Sequence, residues 1–181
     1  MSWARTARRI RVPLGFVLAA LFLWLAHPTL KWMLASLALV VPGIALRAVA
    51  AGHVKKNREL TTTGPYAYTR NPLYLGSMLI GIGFGIAARS FGLAIALAIM
   101  FLAIYLPVIS SEEAYLRGEF AGFDDYVRRV PRLLPRVTPA TKERGSFSGA
   151  LYRKHREYNA IIGTVVLYSA LVLKWYFLAT R

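Results

Sequence analysis

Long uncharged apolar runs separated by short polar connections set the pattern of this chain. Residues 12–26 are apolar apart from glycine and proline, and residues 30–51 are polar only at Lys31, Ser36 and Arg47. Residues 73–88 and 91–109 carry no charge, and residues 160–178 are broken only by Lys174 and small polar side chains. A spanning helix needs about 20 mostly apolar residues. The pattern therefore predicts five membrane-spanning helices, the first and third short enough to be tilted or partly interfacial. A cleaved signal peptide competes for the first run. His27-Pro28-Thr29 follows it in place of a small-x-small cleavage site, so a retained helix is expected. The expected fold class is an all-α integral membrane protein of about five transmembrane helices. It forms a single domain over residues 1–181. Residues 1–51 hold two spans, residues 52–136 a core with a helical hairpin over 73–109, and residues 137–181 a basic linker and a fifth span.

Composition narrows the chemistry. The 181 residues are 56% hydrophobic and include no cysteine. That excludes disulfides, thiolate catalysis and cysteine metal ligands. The formal net charge of +15 would suit nucleic acid in a soluble protein. In a membrane protein, basic loops face the cytoplasm and anionic headgroups, so the expected partner is the lipid bilayer and not nucleic acid. Of the 23 Lys and Arg, all but Lys31, Arg89, Lys174 and Arg181 fall in the N-terminal segment, residues 47–70 or residues 110–159. This asymmetry predicts a cytoplasmic N-terminus and an outer C-terminus. All 8 acidic residues share the inner side, so an active site is expected to open towards the cytoplasm. The compact, cysteine-free chain fits a bacterial inner membrane. His27, His53 and His155 show no ligand spacing, and no metal site is expected.

Local signals refine the elements. Gly81 and Gly85 form a small-xxx-small step, which lets helices approach closely. With the tight turn at Ala88-Arg89-Ser90 it predicts that spans three and four pack as an antiparallel hairpin. Pro107 is expected to kink span four. Ser110 and Glu113 fit a capping box opening a surface helix, in which Leu116, Phe120, Phe123, Tyr126 and Val127 share a stripe. Glu112 and Glu113 read either as that cap or as functional carboxylates at the bilayer edge, Glu112 being the one expected to face a ligand. Residues 152–158 read as a basic anchor to anionic lipid or as a clamp on a headgroup or cofactor.

The polar, turn-rich stretch between spans two and three carries the candidate chemistry. Gly64-Pro65-Tyr66 and Asn71-Pro72 are turn signals, and Pro72 suits the first turn of a helix. Arg70 and Asn71 then lie at a helix N-terminus, where backbone N–H groups and the dipole favour an anion. Arg70 adds a bidentate donor for a carboxylate or phosphate. Tyr66, Tyr68 and Tyr74 could stack on a ring or surround a cation.

This run, Gly64-Pro65-Tyr66-Ala67-Tyr68-Thr69-Arg70-Asn71-Pro72-Leu73-Tyr74-Leu75-Gly76, resembles the Gly-Pro-Tyr…Arg-His-Pro-x-Tyr-x-Gly signature of the isoprenylcysteine carboxyl methyltransferase and phospholipid methyltransferase superfamily. Glu112-Glu113-x-x-Leu116, with Phe120, Gly122, Tyr126 and Val130-Pro131-Arg132-Leu133-Leu134-Pro135, is similar to its second signature. The resemblance spans roughly residues 50–136 and implies an integral membrane methyltransferase that uses S-adenosylmethionine and a lipophilic acceptor. By position it implies a cofactor pocket of Tyr66, Tyr68, Arg70, Asn71, Pro72, Tyr74, Leu75, Gly76, Glu112 and Glu113. It implies catalytic roles for Glu112, Arg70, Tyr126 and Arg132. The signature's histidine is Asn71 here, which can donate a hydrogen bond but cannot carry charge or move a proton. Two alternatives stay open: an NADPH-dependent membrane reductase of sterol or enone lipids, with residues 142–156 as a phosphate site, and a non-catalytic lipid-binding relative.

Overall fold

A computed structural model describes residues 3–55, 58–143 and 145–180, excluding the side chains of residues 3–5 and 7–12. The charges read at Arg5, Arg8, Arg9, Arg11, Lys56, Arg144 and Arg181 lie outside these described groups. The described chain is helical: α1 (Trp3–Leu25), α2 (Leu30–His53), α3 (Pro72–Ala88), α4 (Phe91–Met100), α5 (Leu106–Glu119), α6 (Phe123–Arg129), α7 (Gly149–Lys154) and α8 (Tyr158–Ala179). A short 3-10 turn covers Gly64–Ala67, and a π turn, Phe101–Tyr105, joins α4 to α5. Three helices are long and apolar enough to cross a bilayer: Leu30–His53, Phe91–Glu119 and Tyr158–Ala179. Two shorter apolar helices, Pro13–Leu25 and Pro72–Ala88, complete the five expected runs. Large apolar side chains stand outside the bundle, among them Phe91 (82% exposed) and Trp24 (75%). Such a surface suits hydrocarbon and not water, and the protein is an all-α integral membrane protein.

The helix α2–α3 pair is the tightest contact, and glycine makes it so. A Cβ at Gly76 would lie 2.7 Å from the Gly43 carbonyl oxygen, and one at Gly83 would lie 2.5 Å from a Val40 methyl. Gly81 and Gly85, expected to pack span three against span four, do face α4, but not at close range. A Cβ at Gly81 would meet nothing within 4 Å, and one at Gly85 only a Leu97 methyl at 3.9 Å. Spacing showed that these glycines share the face turned to α4; it did not show how closely the two helices approach there.

At the end of the bundle holding the α1–α2 and α3–α4 turns, Phe22, Met33, Phe84, Leu93 and Leu171 bury together. Lys174 of α8 donates to the Leu23 and Trp24 carbonyls at 2.6 and 2.9 Å, satisfying the carbonyl end of α1. The other end gathers the polar connections. Ser148 N–H donates to Gly52 O, and Arg70 N–H to Pro131 O. Arg47 pairs with Glu157 at 2.7 Å.

Helices α4 and α5 run as one 29-residue element, Phe91–Glu119. At 1.5 Å per residue that is about 43 Å, longer than a hydrocarbon core of about 30 Å, so its last turns project to the polar end. The break expected at Pro107 takes the form of the π turn, whose wider ladder accommodates the ring and the missing N–H. Two further expectations are corrected here. Ser110 and Glu113 sit inside α5, so they form no capping box. The surface helix expected to carry Leu116 to Val127 is divided between the end of α5 and α6, with 120–122 outside both helices.

Candidate functional site

Gly64 opens the site because no other residue fits there. Its φ is +59°, and a Cβ would fall 2.4 Å from the His53 ring. Pro65 follows in the 3-10 turn, its fixed φ suited to a first helical position. Tyr66 is buried, and its carbonyl accepts the Tyr126 hydroxyl at 2.7 Å. The chain then runs beside residues 131–140: Arg136 N–H donates to Tyr68 O and Ala140 N–H to Ala67 O. The two stretches resembling family signatures, 36 or more residues apart in sequence, are therefore bound to each other.

Glu113 is the keystone of that junction. Its Oε1 accepts from Arg70 Nε and Asn71 Nδ2, both at 3.1 Å. Its Oε2 accepts from two Arg132 nitrogens at 3.0 and 2.6 Å. Arg70 also donates to the Val127 and Val130 carbonyls at 3.1 Å. The side chains of Arg70 and Glu113 are each only 9% exposed, whereas that of Arg132 is 44% exposed. A buried carboxylate holds its charge at such a place only with pairing and hydrogen bonds of this quality. Asn71 contributes one amino group to two acceptors, Glu113 Oε1 and the Arg132 carbonyl, the latter at 3.0 Å. A neutral imidazole has a single N–H, so asparagine makes both bonds without being charged.

Glu112, one step along α5, points elsewhere. It is exposed and accepts the Tyr74 hydroxyl at 3.0 Å. Tyr74 stands edge-on to Tyr105 of the π turn, centroids 5.7 Å apart. Tyr105 forms one end of an apolar groove of about 670 Å³ that continues between α3 and α4 to Arg89 and Ser90. A second hollow, about 580 Å³ and more polar, lies at Gly64, Tyr68, Lys142 and Glu143.

The residues expected in one pocket thus divide. Glu112, Tyr74 and the open side of Arg132 remain accessible. Arg70, Asn71, Glu113 and Tyr126 are consumed in bracing the loops. Pro72, Leu75 and Gly76 are buried, and Gly76 faces α2. Tyr68 opens into the second hollow. Sequence reading passed over Arg47, Ser77, Tyr105 and Glu157. Arg47 donates to Glu157, to Leu73 O at 3.2 Å and to Ser77 Oγ, tying α2, α3 and α8. A charge inside an apolar run was the available signal for Arg47. His53 and His155, which showed no ligand spacing, donate Nδ1–H to backbone carbonyls, His53 to Val49 O at 2.7 Å and His155 to Ala51 O at 3.0 Å.

Burial pushes the Tyr66 hydroxyl well above the ordinary tyrosine value of 10.0; Tyr126, Glu157 and Glu112 push the same way, and Arg47 opposes. Burial likewise raises Tyr126, with Arg70 opposing and Glu113 adding. Both groups favour the protonated folded state. Their stabilisation is fully present below the unfolded pKa near 10 and is lost as pH rises above it. Thermal stability is expected to fall progressively as pH rises above about 10, and Tyr126→Phe to flatten that fall. An equally steep fall in Tyr126→Phe would remove Tyr126 as its source.

An all-helical membrane bundle with two signature loops locked at one end, beside a groove open to lipid, is the class defined so far. Residues 10–122 match the phospholipid methyltransferase family, and the chain belongs to that family. It is 43% identical over 84 residues to the nickel-cobalt-cadmium resistance protein NccN of Alcaligenes xylosoxydans xylosoxydans, covering 46% of this chain and 39% of that protein. It is 37% identical over 84 residues to the cobalt-zinc-cadmium resistance protein CzcN of Cupriavidus metallidurans, with the same coverage. It is 29% identical over 105 residues to the protein-S-isoprenylcysteine O-methyltransferase of Schizosaccharomyces pombe, covering 58% of this chain and 44% of that enzyme. The chain thus spans less than half the length of these relatives. No solved structure matches it. Among the described residues no three His, Asp or Glu side chains gather as a metal site.

Proposed function

We propose that this chain is an S-adenosylmethionine-dependent methyltransferase acting on a lipophilic acceptor with a carboxylate, amine or thiol, at a bundle end that faces the cytoplasm of a bacterial inner membrane. Family membership supports the class. The observation that carries the reading is the placement of an exposed carboxylate, Glu112, on the Tyr74 hydroxyl where an apolar groove ends at Tyr105.

The donor set fits this cofactor. Glu112 offers an acceptor for its ammonium or ribose hydroxyls. Arg132, nearly half exposed, offers a donor for its carboxylate, a role the buried Arg70 leaves to it. Tyr74 offers an aromatic edge and face. When bound, the cofactor supplies a sulfonium methyl: the acceptor's lone pair forms the new bond to carbon, and the S–C pair returns to sulfur as a neutral thioether. The protein's part is alignment and exclusion of water. Glu113 with Arg70, Asn71 and Arg132 fixes the loops, Tyr74 and Tyr105 wall the site, and Glu112 takes the proton that an amine or thiol acceptor releases. A carboxylate acceptor has no proton to lose.

Proteoliposomes of bacterial lipid extract given methyl-labelled S-adenosylmethionine test the reading. Label is expected in the organic phase and at least about tenfold less in Glu112→Gln, the loss of one charge-assisted contact or proton acceptor. Full activity in Glu112→Gln would remove Glu112 from the site.

A further inference from the structure

The groove has a glycine floor that packing does not require. Ser77, Gly81 and Gly85 follow one another at steps of four along α3, as the i, i+4 ridge of a helix does, and line it together with Arg89, the residue that caps the helix end. The opposite wall is Ala94, Leu97, Phe101 and Tyr105. The close approaches of α3 to α2 use Gly76 and Gly83 instead, and a Cβ at Gly81 would meet nothing within 4 Å. The missing side chains at positions 81 and 85 therefore deepen a slot; they do not join helices.

From these observations we infer that the slot measures the acceptor: it takes one unbranched hydrocarbon chain, lying along α3 with its head at the Tyr74–Glu112 end and its tail towards Arg89, and Gly81 and Gly85 set the longest chain admitted. This inference rests on the proposed methyl-transfer site at that end. Three features commit the slot to a lipid chain. It lies between two apolar helices of a membrane protein, so hydrocarbon surrounds it. It is continuous with the Tyr105–Tyr74–Glu112 contact. Its polar groups stand only at its ends, Ser77 and Tyr105 at one and Arg89 and Ser90 at the other. The length follows from the helix. Residues 77 to 89 rise about 18 Å, and an extended alkyl chain advances about 1.25 Å per carbon for 1.52 Å bonds at a near-tetrahedral angle. The slot holds about fourteen carbons. A side chain at position 85 would stop the tail after about ten carbons, and one at position 81 after about five.

Fatty acids of 6 to 18 carbons bearing a diazirine at the last carbon provide the probe. They are cross-linked to the full-length protein in nanodiscs, with and without S-adenosylhomocysteine, and the labelled peptides are mapped. In the unsubstituted protein the tail label is expected to move along α3 with chain length and to reach residues 89–94 near fourteen carbons. Gly85→Leu is expected to abolish slot labelling beyond about ten carbons, and Gly81→Leu beyond about five. Gly81→Ala and Gly85→Ala, whose added Cβ meets nothing closer than 3.9 Å, should keep the parent melting temperature, which separates loss of the slot from loss of the fold. Labelling that ignores chain length, or that survives both substitutions, would overturn the inference. Ordered labelling in a protein that transfers no methyl group would keep the chain site and discard the methyl-transfer reading instead. Methyl transfer that continues with no chain-length cut-off would discard the ruler alone.

Discussion

Glu113→Ala is expected to be the most destabilising substitution in the polar end of this protein. Removing the carboxylate leaves Arg70, 9% exposed, without its ion partner, and frees Asn71 and Arg132 at the same stroke. Breaking a buried pair from one side costs about 3–5 kcal/mol because the remaining charge stays uncompensated. The melting temperature in detergent, followed by tryptophan fluorescence, should drop on the order of 10 °C. Glu113→Gln keeps the volume and one acceptor oxygen, and should recover part of the loss. Glu112→Ala, at the exposed neighbour, should leave stability nearly unchanged while removing ligand contacts. If Glu113→Ala melts with the parent protein, the junction between the two signature stretches is held by something other than this carboxylate.

Gly76→Ala is expected to have the second-largest effect, through one methyl group. The new Cβ would stand 2.6 Å from Arg47 Cγ and 2.7 Å from the Gly43 carbonyl oxygen. The arginine can swing aside; the carbonyl belongs to the α2 backbone, so the two helices must separate. Overpacking of this kind costs about 1–3 kcal/mol, and close small-residue contacts are a main source of helix association in lipid. Displacing Arg47 also strains its bonds to Glu157, Ser77 and Leu73 O. Gly81→Ala adds the same methyl to the same helix with nothing in reach, and its melting temperature should stay at the parent value or rise slightly. Equal effects of the two substitutions would mean that α2 and α3 do not meet at Gly43 and Gly76.

The helices were legible because apolar run length decides what a bilayer accepts: all five runs fold as helices, α1 starting earlier than its run at Trp3 and the fourth continuing past its run to Glu119. The Gly64-Pro65 turn was legible because few residues tolerate its backbone. The site was legible as a set of residue types but not as an arrangement. Glu113 reads locally as a helix cap, yet its ligands are 19, 42 and 43 residues away in sequence. No local pattern registers a partner at that separation. Asn71 reads as a departure from the histidine of the resembled signature, and only the convergence of Glu113 and the Arg132 carbonyl on its amino group gives it a purpose. Arg47 and Glu157, 110 residues apart, each looked like a boundary charge until α8 packed beside α2. Gly81 and Gly85 satisfied a helix-packing motif yet line a groove beside α4, because helix periodicity fixes the face of a residue and not how closely its neighbour approaches.

Cofactor binding tests the central claim most directly. Detergent-solubilised protein titrated calorimetrically with S-adenosylmethionine, S-adenosylhomocysteine and NADPH is expected to bind the first two saturably and NADPH not at all, with S-adenosylmethionine binding weakened in Glu112→Ala. Binding of NADPH in preference would place the protein with membrane reductases. Binding of none of the three would contradict the methyltransferase reading and leave a lipid-binding relative.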